Sequence, residues 1–127
     1  MRANVQRCIS TFGRHNTDTY LTPKPSSYDA SANGESPSDA TPRAGPDTGS
    51  SEVQIAILTA KINVLADFLE TRGRKDKVNK RNLRLLVHRR QKLLRYMKKR
   101  ERGGERWRNM VEQLGLTQAC WEGEISL

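Results

Sequence analysis

Residues 76–100, DKVNKRNLRLLVHRRQKLLRYMKKR, limit what this chain can become more than any other stretch. Leucines recur at helical spacing and lysine or arginine fills most positions between them, so the segment reads as one long basic helix. Asp76 suits its start, because a carboxylate there accepts an orphan backbone N–H and faces the positive end of the helix dipole. Leu83, Leu86, Leu93, Leu94 and Met97 form an apolar stripe that needs a partner. Lys77, Arg81, Arg84, His88, Lys92, Arg95 and Lys99 repeat on another face as a cationic ridge about 30 Å long. Ridges of this kind usually meet phosphate.

Charge sharpens that reading. The 127-residue chain carries a formal +9, and residues 72–108 hold 17 Lys/Arg against Asp76, Glu101 and Glu105. An anionic partner follows, and nucleic acid fits better than a membrane surface because the apolar residues suffice for a small helical core. No apolar run approaches the roughly 20 residues that span a bilayer, so the chain is expected to be soluble or bound to a large complex. Cys8 and Cys120 lie near opposite ends without CxxC or Cys/His spacing, which indicates neither a disulfide framework nor a zinc site. His15 and His88 are isolated, and His88 reads as a polar residue of the basic helix.

Residues 1–19 admit two readings. Arg2, Arg7 and Arg14 with no acid before Asp18 compose an organellar targeting segment, while Val5, Ile9 and Phe12 are spaced for a short amphipathic helix ended by Gly13. Residues 20–46 are rich in Pro, Ser, Ala, Thr and Gly with little to bury, and read as a disordered linker or insertion. The folded domain is expected over 47–116. Thr48-Gly49 gives a tight turn, Ser50 or Ser51 a cap, and a helix runs from about Ser51 to about Arg72 with Ile55, Leu58, Ile62, Leu65 and Leu69 facing the core. Gly73 ends that helix in the manner of a C-terminal glycine. The short connection to Asp76 predicts an antiparallel hairpin sealed by the two leucine stripes. Gly103-Gly104 breaks the basic helix, and Trp107, Met110, Val111 and Leu114 share one face of a last short helix closed by Gly115. The acidic tail, 117–127, is expected to fray, with packing on a neighbouring protein as the alternative. The fold class is therefore all-α: a small helical bundle with two long helices in an antiparallel hairpin, a short C-terminal helix and a short N-terminal one.

No constellation suits an enzyme, for the chain lacks a phosphate-cradling glycine loop, a nucleophile elbow, HExxH and paired acids in an apolar setting. It likewise calls for no cofactor, metal or small-molecule substrate. Binding fits better: Arg and Lys neutralise phosphates, and Tyr96 stands inside the ridge where a ring can stack on a base or sugar. Solvated helices usually interleave acids, yet none occurs between Asp76 and Glu101. A helical DNA-binding regulatory module and a membrane-surface amphipathic protein are the alternatives.

DTGSSEVQIAILTAKINVL, then DKVNKRNLRLLVHRRQKLLRYMKK, then the LGL that ends the last helix, together resemble the bacterial-type ribosomal protein fifteen of the small subunit. The likeness covers Asp47 to Leu116. Phe12-Gly13-Arg14 and Thr17-Asp18-Thr19 echo the end of that family's first helix, which makes 20–46 an insertion, and the NKRNLRLLVHRRQKLL wording is similar to mitochondrial members. The resemblance implies a four-helix protein with a mobile first helix that binds the central domain of small-subunit rRNA early in assembly. Its location would be a mitochondrial ribosome, with chloroplast or cytoplasm as alternatives. Its partners would be rRNA, neighbouring small-subunit proteins and a large-subunit bridge, with no membrane.

Two RNA contacts follow by position. A three-way junction would meet Thr48, Gly49 and Gln54 together with Lys92, Tyr96 and Lys99. A shallow groove of an RNA stem would meet Asp76 and Asn79, where a serine is usual. Two departures bear on the stem contact: Phe68 replaces a histidine and the loop TRGRKD is one residue longer, leaving Arg72, Arg74 and Lys75 to supply phosphate contacts. Trp107 stands for the usual tyrosine, a packing change, and the tail beyond Leu116 is longer than the family's.

Overall fold

The computed structural model describes residues 1–17 and 45–125. The linker reading for 20–46 therefore falls, over 20–44, outside the described residues. The described residues form α1 (Arg2–Phe12), a single turn α2 (Arg14–Thr17), α3 (Ser51–Thr71), α4 (Lys77–Glu101), α5 (Glu105–Leu114) and a 3-10 turn at Gln118–Cys120. No strand occurs among them, in keeping with the all-α expectation.

Local chemistry sets the boundaries. Asp76 caps α4 as its position suggests, accepting the Asn79 N–H at 3.0 Å and the Asn79 side-chain amide as well. The first turn of α3 is held differently: Ser50 is the N-cap residue but makes no side-chain cap bond, and Asp47 Oδ1 takes the N–H groups of Gly49 and Ser50, each at 3.1 Å. Gly73 ends α3 for a reason other than a left-handed backbone. Its φ is not positive; a Cβ there would lie 2.7 Å from Cε1 of Phe68, whose ring covers the residue. The left-handed break after α4 begins at Arg102 (φ 49°) and continues in Gly103 (φ 73°) before Gly104 caps α5. Gly115 closes α5 in αL, with Leu116 N–H bonded to Val111 O and Gly115 N–H to Glu112 O, the paired bonds of a Schellman end.

α3 packs along α4 on one side and against α1 on another. Thr59 and Arg90, equally far from the connecting loop, meet at 3.4 Å, which fixes the hairpin as antiparallel. Val53, Ile55 and Ala56 of α3, Leu94 and Met97 of α4, and Trp107 and Met110 of α5 form the main core. Leu58, Ile62, Leu69 and Val87 bury the end nearer the loop. Of the expected α4 stripe Leu94 and Met97 are fully buried, joined by Val87, while Leu83, Leu86 and Leu93 are half-buried; each buried Leu, Val or Met contributes about 1.5–3 kcal/mol to closing the hairpin.

Both ends of the chain join this core. Phe12 is 5% exposed, so the amphipathic-helix reading of residues 2–12 describes the structure. Over its described residues, 117–125, the tail is held against the helices, contrary to the expectation that it frays. Trp121 is buried against Trp107, and Arg95 donates to the carbonyls of Trp121 (2.9 Å) and Gly123 (2.8 Å). Gln91, buried in α4, donates to Gly123 O at 2.8 Å, and Lys98 pairs with Glu122 at 3.1 Å. An acidic tail fits here because α4 offers it cations and donors on the side turned toward α5.

Candidate nucleic-acid interface

The outer side of α4 presents Lys77, Arg81, Arg84, His88, Lys92, Tyr96 and Lys99, all exposed. Arg95, expected in this ridge, is instead drawn round to the tail carbonyls. Lys98 also turns that way, with Nζ 5.8 Å from the Trp121 ring centre. The ridge that remains is narrower and is bordered by the tail. Two cations that leucine spacing did not single out belong beside it: Arg89, exposed on the same side, and Arg100, whose Nη1 donates to Tyr96 Oη at 2.9 Å with its guanidinium 6.0 Å from the ring centre. The i,i+4 interval from Tyr96 to Arg100 is the signal that could have found the second. Tyr96 is half exposed, a flat apolar surface amid positive charge.

Because the hairpin is antiparallel, the start of α3 lies beside the C-terminal half of α4. Thr48, Gly49 and Gln54 therefore share one end of the molecule with Tyr96 and Lys99, while Arg72, Asp76, Asn79 and Arg81 gather at the other, about 30 Å away along the helix. The turn itself is tied by several hydrogen bonds. Gln54 Nε2 donates to Gly49 O at 3.0 Å, Asp47 Oδ2 accepts Arg14 N–H at 3.1 Å, and Asp47 N–H donates to His15 Nδ1 at 3.1 Å. Partial burial of Asp47 works against its charge, but the N–H groups of Arg14, Gly49 and Ser50 together outweigh it and hold the carboxyl below its ordinary value. Thr48 and Gly49 are left exposed at the tip.

At the opposite end the candidates are spent partly on each other. Asn79 donates its N–H and side-chain amide to Asp76, and these bonds hold that carboxyl's pKa below its ordinary value, while Asn79 Oδ1 accepts from Asn82 at 3.4 Å. Phe68 is 40% exposed with its ring against Gly73. Arg72 and Lys75 are exposed, while Arg74 Nε is bonded to Glu70 O. Among the described residues no group of three His, Cys, Asp or Glu is placed to hold a metal ion, and no helix is long and apolar enough to cross a membrane.

The family model for ribosomal protein S15 matches residues 39–117, more than half of the chain and all of α3, α4 and α5. The chain belongs to the ribosomal protein S15 family. The family is one of structural ribosomal proteins, not of enzymes. The chain is 58% identical over 127 residues to the small ribosomal subunit protein uS15m of Neurospora crassa, an alignment covering 98% of this chain and 38% of that protein. It is 50% identical over 74 residues to uS15 of Nitrosospira multiformis, covering 58% of this chain and 80% of the relative. The uS15 of Desulforudis audaxviator is 47% identical over 70 residues, 55% of this chain and 75% of the relative. The chain thus spans well under half the length of the Neurospora protein. The S15 match leaves out α1, α2 and Trp121, which the Neurospora alignment includes.

Proposed function

We propose that the chain is an rRNA-binding structural protein of a mitochondrial small ribosomal subunit. It would hold a junction of the small-subunit rRNA in place while the central domain and platform assemble. The carrying observation is the antiparallel register of the hairpin, which brings the exposed, hydrogen-bonded Thr48–Gly49 tip and Gln54 to the same end of the molecule as Tyr96 and Lys99 on the cationic helix. Positive charge alone attracts any phosphate and does not select among RNAs. A hydrogen-bonded turn at the same end as a cationic, aromatic surface can read shape, as RNA junctions require. The mitochondrial assignment rests on the likeness to Neurospora uS15m over nearly the whole chain, against little more than half of it for the two bacterial relatives.

In this reading capture comes first, through Arg81, Arg84, His88 and Lys92, and recognition second, through Thr48, Gly49, Gln54, Tyr96 and Lys99. The opposite end makes the weaker, second contact to an RNA stem. Asp76 and Asn79 are already bonded to each other there, so Arg72 and Lys75 carry it as phosphate contacts. Neighbouring small-subunit proteins and a large-subunit bridge complete the set of partners. Sucrose-gradient sedimentation of mitochondrial extract tests the proposal: the chain should migrate with small subunits at physiological salt. Recovery at the top of the gradient, or with DNA, would refute it.

A further inference from the structure

Asp47 is bonded in two directions at once. Its Oδ1 holds the Gly49 and Ser50 N–H groups of the turn, while its Oδ2 and its own N–H reach back across more than thirty residues to Arg14 N–H and His15 Nδ1. The segment on the far side is itself fixed. A Cβ at Gly13 would lie 2.3 Å from His15 Cε1 and 2.5 Å from Ile9 O, so His15 keeps its seat only over a glycine. Thr17, buried at the end of α2, accepts from Arg106 of α5 at 3.1 Å. Beneath the turn the Arg14 guanidinium lies 3.8 Å from the Glu52 carboxylate, which is buried in the first turn of α3.

From these contacts we infer that Arg14 and His15 are positioning residues for the junction turn, acting through Asp47 to hold Thr48 and Gly49 in their binding shape. This rests on the junction reading above. The family match begins after this segment, at residue 39, so neither residue falls within the matched region. His15 is exposed and contributes one acceptor atom to the turn. Removing it should loosen the tip while leaving the core intact. An asparagine in its place keeps an acceptor near the position of Nδ1.

The test uses the full chain and a small-subunit rRNA three-way junction titrated over a range of salt, with His15→Ala, His15→Asn and Lys92→Gln beside the parent. His15→Ala should lower affinity about three- to tenfold, the effect of one lost hydrogen bond, with no change in the salt slope. His15→Asn should recover most of the loss. In the free protein, backbone order parameters at Thr48 and Gly49 should fall in His15→Ala only. Lys92→Gln should reduce the salt slope by about 0.8 with the turn unchanged. Parental affinity or an unchanged turn in His15→Ala would overturn the inference, as would a flattened salt slope in that variant, which would make His15 a phosphate contact. A slope unmoved by Lys92→Gln would instead count against the RNA-binding face of α4, and the order parameters would still decide the role of His15.

Discussion

Trp121 meets Trp107 edge-on, with ring centres 5.0 Å apart and planes at 77°. A residue six places from the end of the chain is thus part of the core, in the arrangement aromatic pairs prefer. Trp121→Ala should destabilise the protein by about 3 kcal/mol, the low end for a buried tryptophan because the tail can peel away and leave no sealed cavity. Urea unfolding followed by circular dichroism measures this, and the remaining Trp107 should shift to a more solvent-exposed emission. A change within about 0.5 kcal/mol, as at a surface site, would mean the tail contributes no core.

Gly13 supports a second prediction. Its backbone is ordinary (φ −60°, ψ 138°), so space alone requires the glycine. Gly13→Ala should cost about 1–3 kcal/mol, the range for overpacking, and displace the His15 ring. The histidine ring resonances, compared between parent and variant by NMR, report the displacement.

The hairpin was legible because it is written twice, in the leucine interval of each long helix and in the short loop between them. Asp76 as a cap was legible for the same local reason. What spacing could not show was which cations are taken up by other parts of the protein. Arg95 has the same periodicity as Lys92 and Lys99, and only the carbonyls of a folded-back tail draw it away. Arg90, partly buried between Thr59 and Cys120, is another cation of the run engaged with protein groups. Both follow from contacts remote in sequence, as does the N-terminal segment, whose basic, hydroxyl-rich composition suits a targeting peptide and a docked helix equally. The Thr48–Gly49 turn was visible as a motif. Its support by Arg14 and His15 was hidden by the residues that separate them.

Acid should expose the two aspartates. Asp47 and Asp76 both titrate below the ordinary 3.8 in the folded protein. A depressed carboxyl adds stability above its unfolded value and loses it as pH falls through the folded one. Stability should therefore decline from just above pH 4 downward. In Asp47→Asn that decline should be shallower, since the variant has no charge to lose at the turn. Thermal midpoints measured between about pH 5 and about pH 2 check this, and parallel curves for variant and parent would remove Asp47 from the acid response.

Tyr96→Ala should weaken junction binding by about 1–3 kcal/mol, as loss of one stacking platform does. Because the ring is half exposed and lies outside the core, the same variant should unfold within about 0.5 kcal/mol of the parent. Binding and unfolding measured on one preparation separate the two effects.

A tied turn at the same end of the hairpin as Tyr96 and Lys99 should select a junction over RNA in general. The most direct test is the affinity of the full chain for a small-subunit rRNA three-way junction against a continuous RNA duplex of the same length, at physiological salt. The junction should be preferred at least about tenfold, or about 1.4 kcal/mol. Equal affinity for the two would contradict this selection and leave the helix a general phosphate binder.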